Sequence, residues 1–213
     1  MSKLLYKELR LAAHPNLYVF TLLGALVLVP AYPYGMVFMF GCLGPFITMG
    51  YARETNDLHY TALLPIGKRD IVKGKCLLFA AAQLAQVLIS LPFAFLRVRV
   101  LPAGNPAGIE ANAAFYGFGL IIYAIFNFIF LTEFFRTGFK VGKAFLLAIV
   151  PASVVVLTME VLAHIPAFAW LDSVQPADLL RQLPILLAGL AIYPTAMLAA
   201  FTVAAKRFEK VNL

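Results

Sequence analysis

The chain has 213 residues, of which 62% are hydrophobic and only 13% charged, and its net charge is +7. A soluble domain carries about 25% charged residues, so this composition excludes a water-solvated globule and makes lipid the solvent for most of the surface. The positive charge does not point to nucleic acid, because the basic residues stand at the ends of apolar runs, where they set topology, and not on one phosphate-binding face.

The first element is an amphipathic helix over residues 2–15, SKLLYKELRLAAHP. Lys3, Lys7, Arg10 and His14 fall on one stripe, with Leu5, Leu9, Ala12 and Ala13 on another side. This pattern suits a helix lying in the headgroup layer with its basic groups on lipid phosphates; a plain basic flank is the alternative. The apolar run that follows lacks a small-x-small cleavage pattern, so no removable leader is expected.

A crossing helix takes roughly 20 apolar residues at about 1.5 Å each. Six runs are candidates: 17–32, 34–51, 76–96, 112–134, 144–166 and 184–204. The expected fold is therefore an all-α integral membrane protein, one transmembrane domain over residues 1–213. The alternating short segments of a β-barrel are not found. Runs 1 and 2 are joined by the tight turn PAYPYG, in which Tyr32 and Tyr34 suit the membrane interface.

Between runs 2 and 3 lies the most polar stretch, YARETNDLHYTALLPIGKRDIVKGK. Asn56 and Asp57 suit a helix N-cap, and Pro65 stops the helix two turns later. Leu58, Ala62 and Ile66 share one face, with Tyr60 and Leu63 beside it. So short a helix does not stand alone in water, and an apolar one in a loop must pack on headgroups or on another protein. Asp70 is placed to cap the next run. GKRDIVKGK misses the phosphate-binding pattern, since six residues separate Gly67 from Gly74 and Cys76 follows Lys75. No nucleotide site is expected in this chain. Lys68, Arg69, Lys73 and Lys75 read as a basic patch for anionic lipid.

With both termini in the cytoplasm, 14 of the 17 Lys and Arg fall on that side, and only Arg97, Arg99 and Arg181 outside. The segment FAWLDSVQPADLLRQL after run 5 reads as an external cap or shallow re-entrant hairpin, with Trp170 at the interface and Asp178 capping a short helix through Leu183. Within the runs, Gln83, Gln86 and Asn127 either join helices or face a pathway. Glu160 and His164, four apart near the outer end of run 5, are either a proton or metal site or a polar lining of the external mouth. Glu133 and Arg136 form a local ion pair. The dense phenylalanines of run 4 suit an aromatic conduit or a lipid- or dimer-facing surface, and GFG around Phe118 permits close helix contact. Cys42 and Cys76 read as small apolar fillers.

KELRLAAHPNLY, the tight outer turn, ETNDLHYTALLPIGKRDIVKGK and the terminal AAKRFEKVNL together resemble the permease subunit of the type-2 ABC exporter family, in its small bacterial six-span form. The resemblance covers nearly the whole chain, and the ND…Y..LLPIGKRDIV..K core is its most specific part. It implies that the loop between spans 2 and 3 forms a coupling helix seated in a groove of a separate ATPase. Residues 56–66 match that position, so Asn56, Asp57, Leu58, His59, Tyr60, Leu63, Leu64, Pro65 and Ile66 become candidate coupling residues. The N-terminal helix resembles the family's elbow helix, which gives Lys3, Lys7 and Arg10 contacts with the ATPase or lipid. The segment after span 5 resembles the family's external re-entrant helices. The resemblance further implies a non-catalytic chain in the bacterial inner membrane. Two ATPase subunits would bind the ATP and Mg, and a second permease chain would stand alongside. The exported substrate would be hydrophobic or amphipathic, such as an antimicrobial or cytolytic peptide or a drug. The rivals are an intramembrane enzyme and a proton-coupled secondary transporter, both built on Glu160 and His164. No Gly-x-Ser-x-Gly or His-Glu-x-x-His motif and no internal repeat supports them.

Overall fold

Proline and hydropathy together set the helix order. The computed structural model describes residues 2–100, 104–137 and 140–211, and every regular element in them is helical. The side chains of Lys3 and Leu58, two of the candidate contact residues, lie outside the described residues. In chain order the elements are α1 (Ser2–Lys7, continuing as a π-helix over Glu8–Ala12), α2 (Pro15–Leu22, tightening to a 3-10 helix over Leu23–Leu28) and α3 (Gly35–Glu54). Then follow α4 (Asp57–Ala62), α5 (Lys68–Val100), α6 (Ala113–Thr137), α7 (Val141–His164), a 3-10 turn over Pro166–Leu171, and α8 (Pro176–Glu209).

Five of these helices are long and apolar enough to cross a membrane. The N-terminal pair, Leu4–Ala12 and Pro15–Leu28, is bent by 96°. Pro15 causes the corner: its ring drives His14 out of the helical region, to φ −72 and ψ 143. His14 then becomes the N-cap of α2, with Nδ1 accepting the Asn16 N–H at 3.1 Å. The 3-10 end of α2 rises faster per residue than an α-helix, so these 14 residues reach about 24 Å.

α6 is the centre of the bundle. Its most apolar stretch is 72% buried, against 22% for α7 and 17% for α8, which stand on the outside. Phe115, Phe126, Phe130, Phe134 and Phe135 are all at most 1% exposed. Phe126, Phe130 and Phe134 stack in a row that also meets Phe79 of α5 and Phe145 of α7. These rings therefore line neither a conduit nor a lipid face: a helix apolar all round is buried on all sides. The GFG motif does set a close contact. A Cβ on Gly117 would lie 2.5 Å from the Ile185 carbonyl oxygen of α8, and one on Gly189 would lie 2.4 Å from the Gly117 carbonyl oxygen. Cys42 and Cys76 are buried and unbridged.

The helix expected to end at Leu183 does not end there. α8 starts at Pro176, with Gln175 in the cap position, and continues to Glu209. Proline at the first helical position is preorganised for a helix start, and the interior Pro184 and Pro194 are accommodated, as is common in membrane helices. Asp178 sits in the first turn, 3.7 Å from Arg181, and is not the cap.

The glycine contact predicts a cost for added volume. Gly117→Val should push α6 from α8 and lower stability by about 1–3 kcal/mol, read as a fall in the unfolding temperature of the purified protein in detergent; an unchanged temperature would refute the contact.

Candidate functional site

α4 is attached to the bundle by charge. Asn56 turns the chain out of α3 in a left-handed conformation, φ 53, which asparagine tolerates. Its side chain makes no cap bond, contrary to the expectation for this residue. The Asp57 carboxylate is committed elsewhere. One oxygen accepts from Lys7 Nζ and the other from Lys75 Nζ, each at 2.7 Å. Glu8 completes the set: Lys75 reaches it at 2.7 Å and Lys7 at 3.1 Å. The four groups form a ring of alternating sign in which each ammonium touches both carboxylates. The Lys7 ammonium also donates to Thr61 Oγ1 at 2.9 Å.

The ring is dry. The side chains of Lys75 and Glu8 are fully buried, and those of Asp57 and Lys7 are 15% and 22% exposed. Gly74 lets the π-helical turn come close, since a Cβ there would stand 3.2 Å from Leu4 and 3.3 Å from Glu8. Burial alone would raise the Asp57 pKa, but the field of Lys75 and the bonds from Lys7 and Lys75 prevail and hold it below the usual carboxylate value. Lys75 therefore does not belong to a lipid-binding patch, and Lys7 turns inward to carboxylates, not outward to phosphates. Lys68 donates to the Val211 carbonyl oxygen at 2.7 Å beyond the end of α8, and the Arg69 guanidinium lies 5.9 Å from the centre of the Phe201 ring.

With Asp57 and Thr61 turned inward, the other side of α4 is left bare. Tyr60 is 64% exposed, Leu63 71% and Leu64 52%, and His59 and Pro65 are exposed beside them. Ile66 is half-buried against the core. A cleft of about 400 Å³ separates α1 from α4 over the start of α5, with Leu4 and Lys7 on one side, Thr61, Leu64 and Ile66 on another, and Asp70 and Lys73 at its base. Arg10 is exposed on the π-helical turn.

In mid-bundle, Gln83 and Asn127 exchange amide hydrogen bonds of 2.9 and 2.7 Å, and the Tyr193 hydroxyl donates to Gln83 at 3.1 Å. Gln86 donates to the carbonyls of Phe20 and Val37, each at 3.0 Å, and accepts from the Tyr123 hydroxyl. All three amides are buried and join helices within the one chain. Among the described residues, Thr48 Oγ1 is the only buried side-chain polar atom without a partner.

At the opposite end from α4, the Glu160 carboxylate accepts from two backbone N–H groups, Gly35 at the start of α3 and Ile109 of the loop before α6, each at 3.0 Å. His164 Nδ1 faces the Glu160 carbonyl oxygen at 2.8 Å, one helical turn back. Arg97, also buried, donates to the Tyr34 hydroxyl at 2.8 Å and to Glu110 at 3.1 Å, so Tyr34 is a core residue and not an interfacial one. Asp172 accepts the Glu110 N–H at 2.7 Å, and burial raises the pKa of both carboxyls. No group of three His, Cys, Asp or Glu among the described residues could hold a metal ion. Glu133 pairs with Arg136 at 2.6 Å and with Arg207 of α8 at 3.3 Å.

Residues 3–205 match the family described as ABC-2 family transporter protein. The chain belongs to the ABC-2 transporter family. No characterised protein and no solved structure matches it. The protein is thus a multi-pass membrane component, the permease, of an ABC transporter, and the family implies an ABC ATPase as partner. Sequence reasoning placed α4 in this permease but missed Glu8, Thr61 and the burial of Lys75. Lys75 closes the polar loop one residue before run 3, so no feature of the sequence signalled its burial.

Two outcomes follow from the bonding in the permease. Asp57 has its pKa lowered by folding, so its contribution to stability is fully present above the ordinary value of about 3.9 and is lost as pH falls through the lowered one. Thermal unfolding of the wild-type permease should therefore steepen in its pH dependence below about pH 4 relative to Asp57→Asn. Glu160→Leu orphans two N–H groups at about 1–3 kcal/mol each, whereas Glu160→Gln keeps an acceptor and should unfold nearer the wild-type temperature; equal losses would reject the bonding assigned to Glu160.

Proposed function

We propose that this permease is the pathway subunit of an ATP-driven exporter, and that a separate ATPase grips it by α4. The observation that carries this reading is the two-sidedness of α4. Its polar side is bound into the permease through Asp57 and Thr61, while Tyr60 and Leu63 project an exposed apolar tip. A six-residue helix cannot hold its shape alone in water. Insertion into a protein groove is favoured over burial in headgroups because the family implies an ABC ATPase as partner.

In this reading α4 and both termini face the cytoplasm, where 14 of the 17 Lys and Arg would fall. α1 serves as the elbow helix, and the 3-10 turn Pro166–Leu171 caps the external side. Two ATPase subunits bind ATP and Mg and supply the work. A second permease chain stands beside the first in the cell membrane, for which the outer faces of α7 and α8 are available. The cargo is hydrophobic or amphipathic, an antimicrobial or cytolytic peptide or a drug. An intramembrane enzyme or a proton-coupled carrier draws no support from Glu160 and His164, whose hydrogen bonds go to backbone.

The test is co-purification of the tagged permease with an ABC ATPase from the same cells. Leu63→Asp and Tyr60→Ala should each weaken the complex roughly 30-fold, the loss expected when an interface anchor worth about 2 kcal/mol is removed. Binding that survives both substitutions would reject α4 as the grip.

A further inference from the structure

The ring at the base of α4 has a mechanical consequence that reaches α2. We infer that α1 and α4 form a single rigid lever, held by Lys7, Asp57 and Thr61 and anchored to α5 through Glu8 and Lys75, so that a displacement of α4 tilts α2 as well as α3 and α5. This rests on the reading of α4 as the ATPase's grip.

The cleft of about 400 Å³ is lined by both short helices, and among the described residues hydrogen bonds and ion pairs link them across it. What crosses it is polar: the Lys7 ammonium reaches Asp57 at 2.7 Å and Thr61 at 2.9 Å, from a residue 50 positions away in sequence. The bonds are partly shielded, with Lys7 22% and Asp57 15% exposed, so water and salt compete for them less than at an open surface. From α1 the path continues through a stiff corner. The break between Ala12 and Pro15 is two residues long. It is fixed by the His14 cap, by the edge of the His14 ring on Tyr51, and by the Tyr18 hydroxyl donating to the Leu9 carbonyl across the bend. A helix joined at 96° through a stiff corner converts rotation about one axis into tilt of the other. Lys7 and Asp57 are thus positioning residues for transport, acting through α1 on α2.

The ring allows a clean test, because it can be divided into neutral pairs. Lys7→Met with Asp57→Asn removes one charge of each sign and leaves Glu8 and Lys75 paired on α5, so no buried charge is orphaned. Glu8→Gln with Lys75→Met does the reverse and leaves the Lys7–Asp57 link intact. The full-length permease, with Cys42 and Cys76 changed to Ala, is spin-labelled at Arg10→Cys on the α1 side and His59→Cys on α4 and placed in nanodiscs. Pulsed electron resonance then gives the distance distribution between the labels, with no ATPase present.

The link predicts a narrow distribution for the unmodified ring and for Glu8→Gln with Lys75→Met. It predicts a distribution at least twice as broad for Lys7→Met with Asp57→Asn, at an unfolding temperature close to that of the parent. Equal widths in both doubles overturn the inference, and so does broadening confined to the Glu8–Lys75 double. A second arm adds the ATPase and compares nucleotide-driven movement of a label at Val19→Cys on α2. Lys7→Met with Asp57→Asn should retain ATPase binding and lose at least half of that movement. Full movement in that variant overturns the lever. An ATPase that never binds even the parent overturns the grip at α4 and leaves the label distances to decide the lever alone.

Discussion

The ring of Lys7, Glu8, Asp57 and Lys75 is the constraint on which the α4 end depends. A lysine with no exposed surface, like Lys75, is strongly disfavoured unless a carboxylate meets it, and removing one partner of such a pair costs about 3–5 kcal/mol. Here two carboxylates meet two ammoniums, so no charge is left over and every member has two partners. The consequence is geometric. Glu8 must lie on α5 beside Gly74, Asp57 must turn inward from α4, and α1 must stay folded back against the bundle. Four side chains thereby tie three helices together, in addition to apolar contacts such as Leu9 and Ala13 against Leu78 and Ala82.

Lipid makes this arrangement informative. Between membrane helices there is little hydrophobic drive, because tails are as apolar as leucine, so close packing and hydrogen bonds choose the arrangement. Gly117 and Gly189 let α6 and α8 approach backbone to backbone. Gln83, Asn127 and Tyr193 close one polar knot in mid-bundle, and Gln86 with Tyr123 closes another. With these contacts satisfied, Tyr60, Leu63 and Leu64 at α4 are among the apolar side chains left exposed beyond the long spans, as are Tyr6 and Leu11 of the N-terminal helix.

Much of this was legible in the sequence, for particular reasons. The long helices follow from apolar runs and α4 from Asn56 and Pro65 around a short apolar stretch, whereas the corner at Pro15 falls at the end of the helix expected over residues 2–15 and is seen only in the structure. The ring was hidden because its members stand 50, 67 and 18 positions apart, and a helical stripe does not say which of its charges turns inward. Lys7 fits the basic stripe of α1 by spacing, yet its ammonium follows carboxylates, not phosphates. The phenylalanines of α6 gave no clue to their surroundings, since a ring is equally at home in lipid and in a core. The helix expected to end at Leu183 runs on through Pro184, since proline inside a membrane helix is tolerated where neighbours cover the freed carbonyl.

The two charged clusters also explain why one helix can serve both faces of the membrane. α5 runs for 33 residues, about 50 Å, well beyond a hydrocarbon core of about 30 Å. Lys75 near its start belongs to the ring, and Arg97 near its end holds Tyr34 and Glu110 at the opposite face. Gln83 and Gln86 tie its middle to α2, α3, α6 and α8 through Phe20, Val37, Asn127, Tyr123 and Tyr193. A rod fastened at both ends and in the middle cannot be displaced at one end alone. A force applied beside Asp57 would either break buried polar bonds, which is costly, or carry the fastened helices with it. The second is the cheaper response, and it links the α4 end to the loop around Glu110 without any chain of small conformational steps between them.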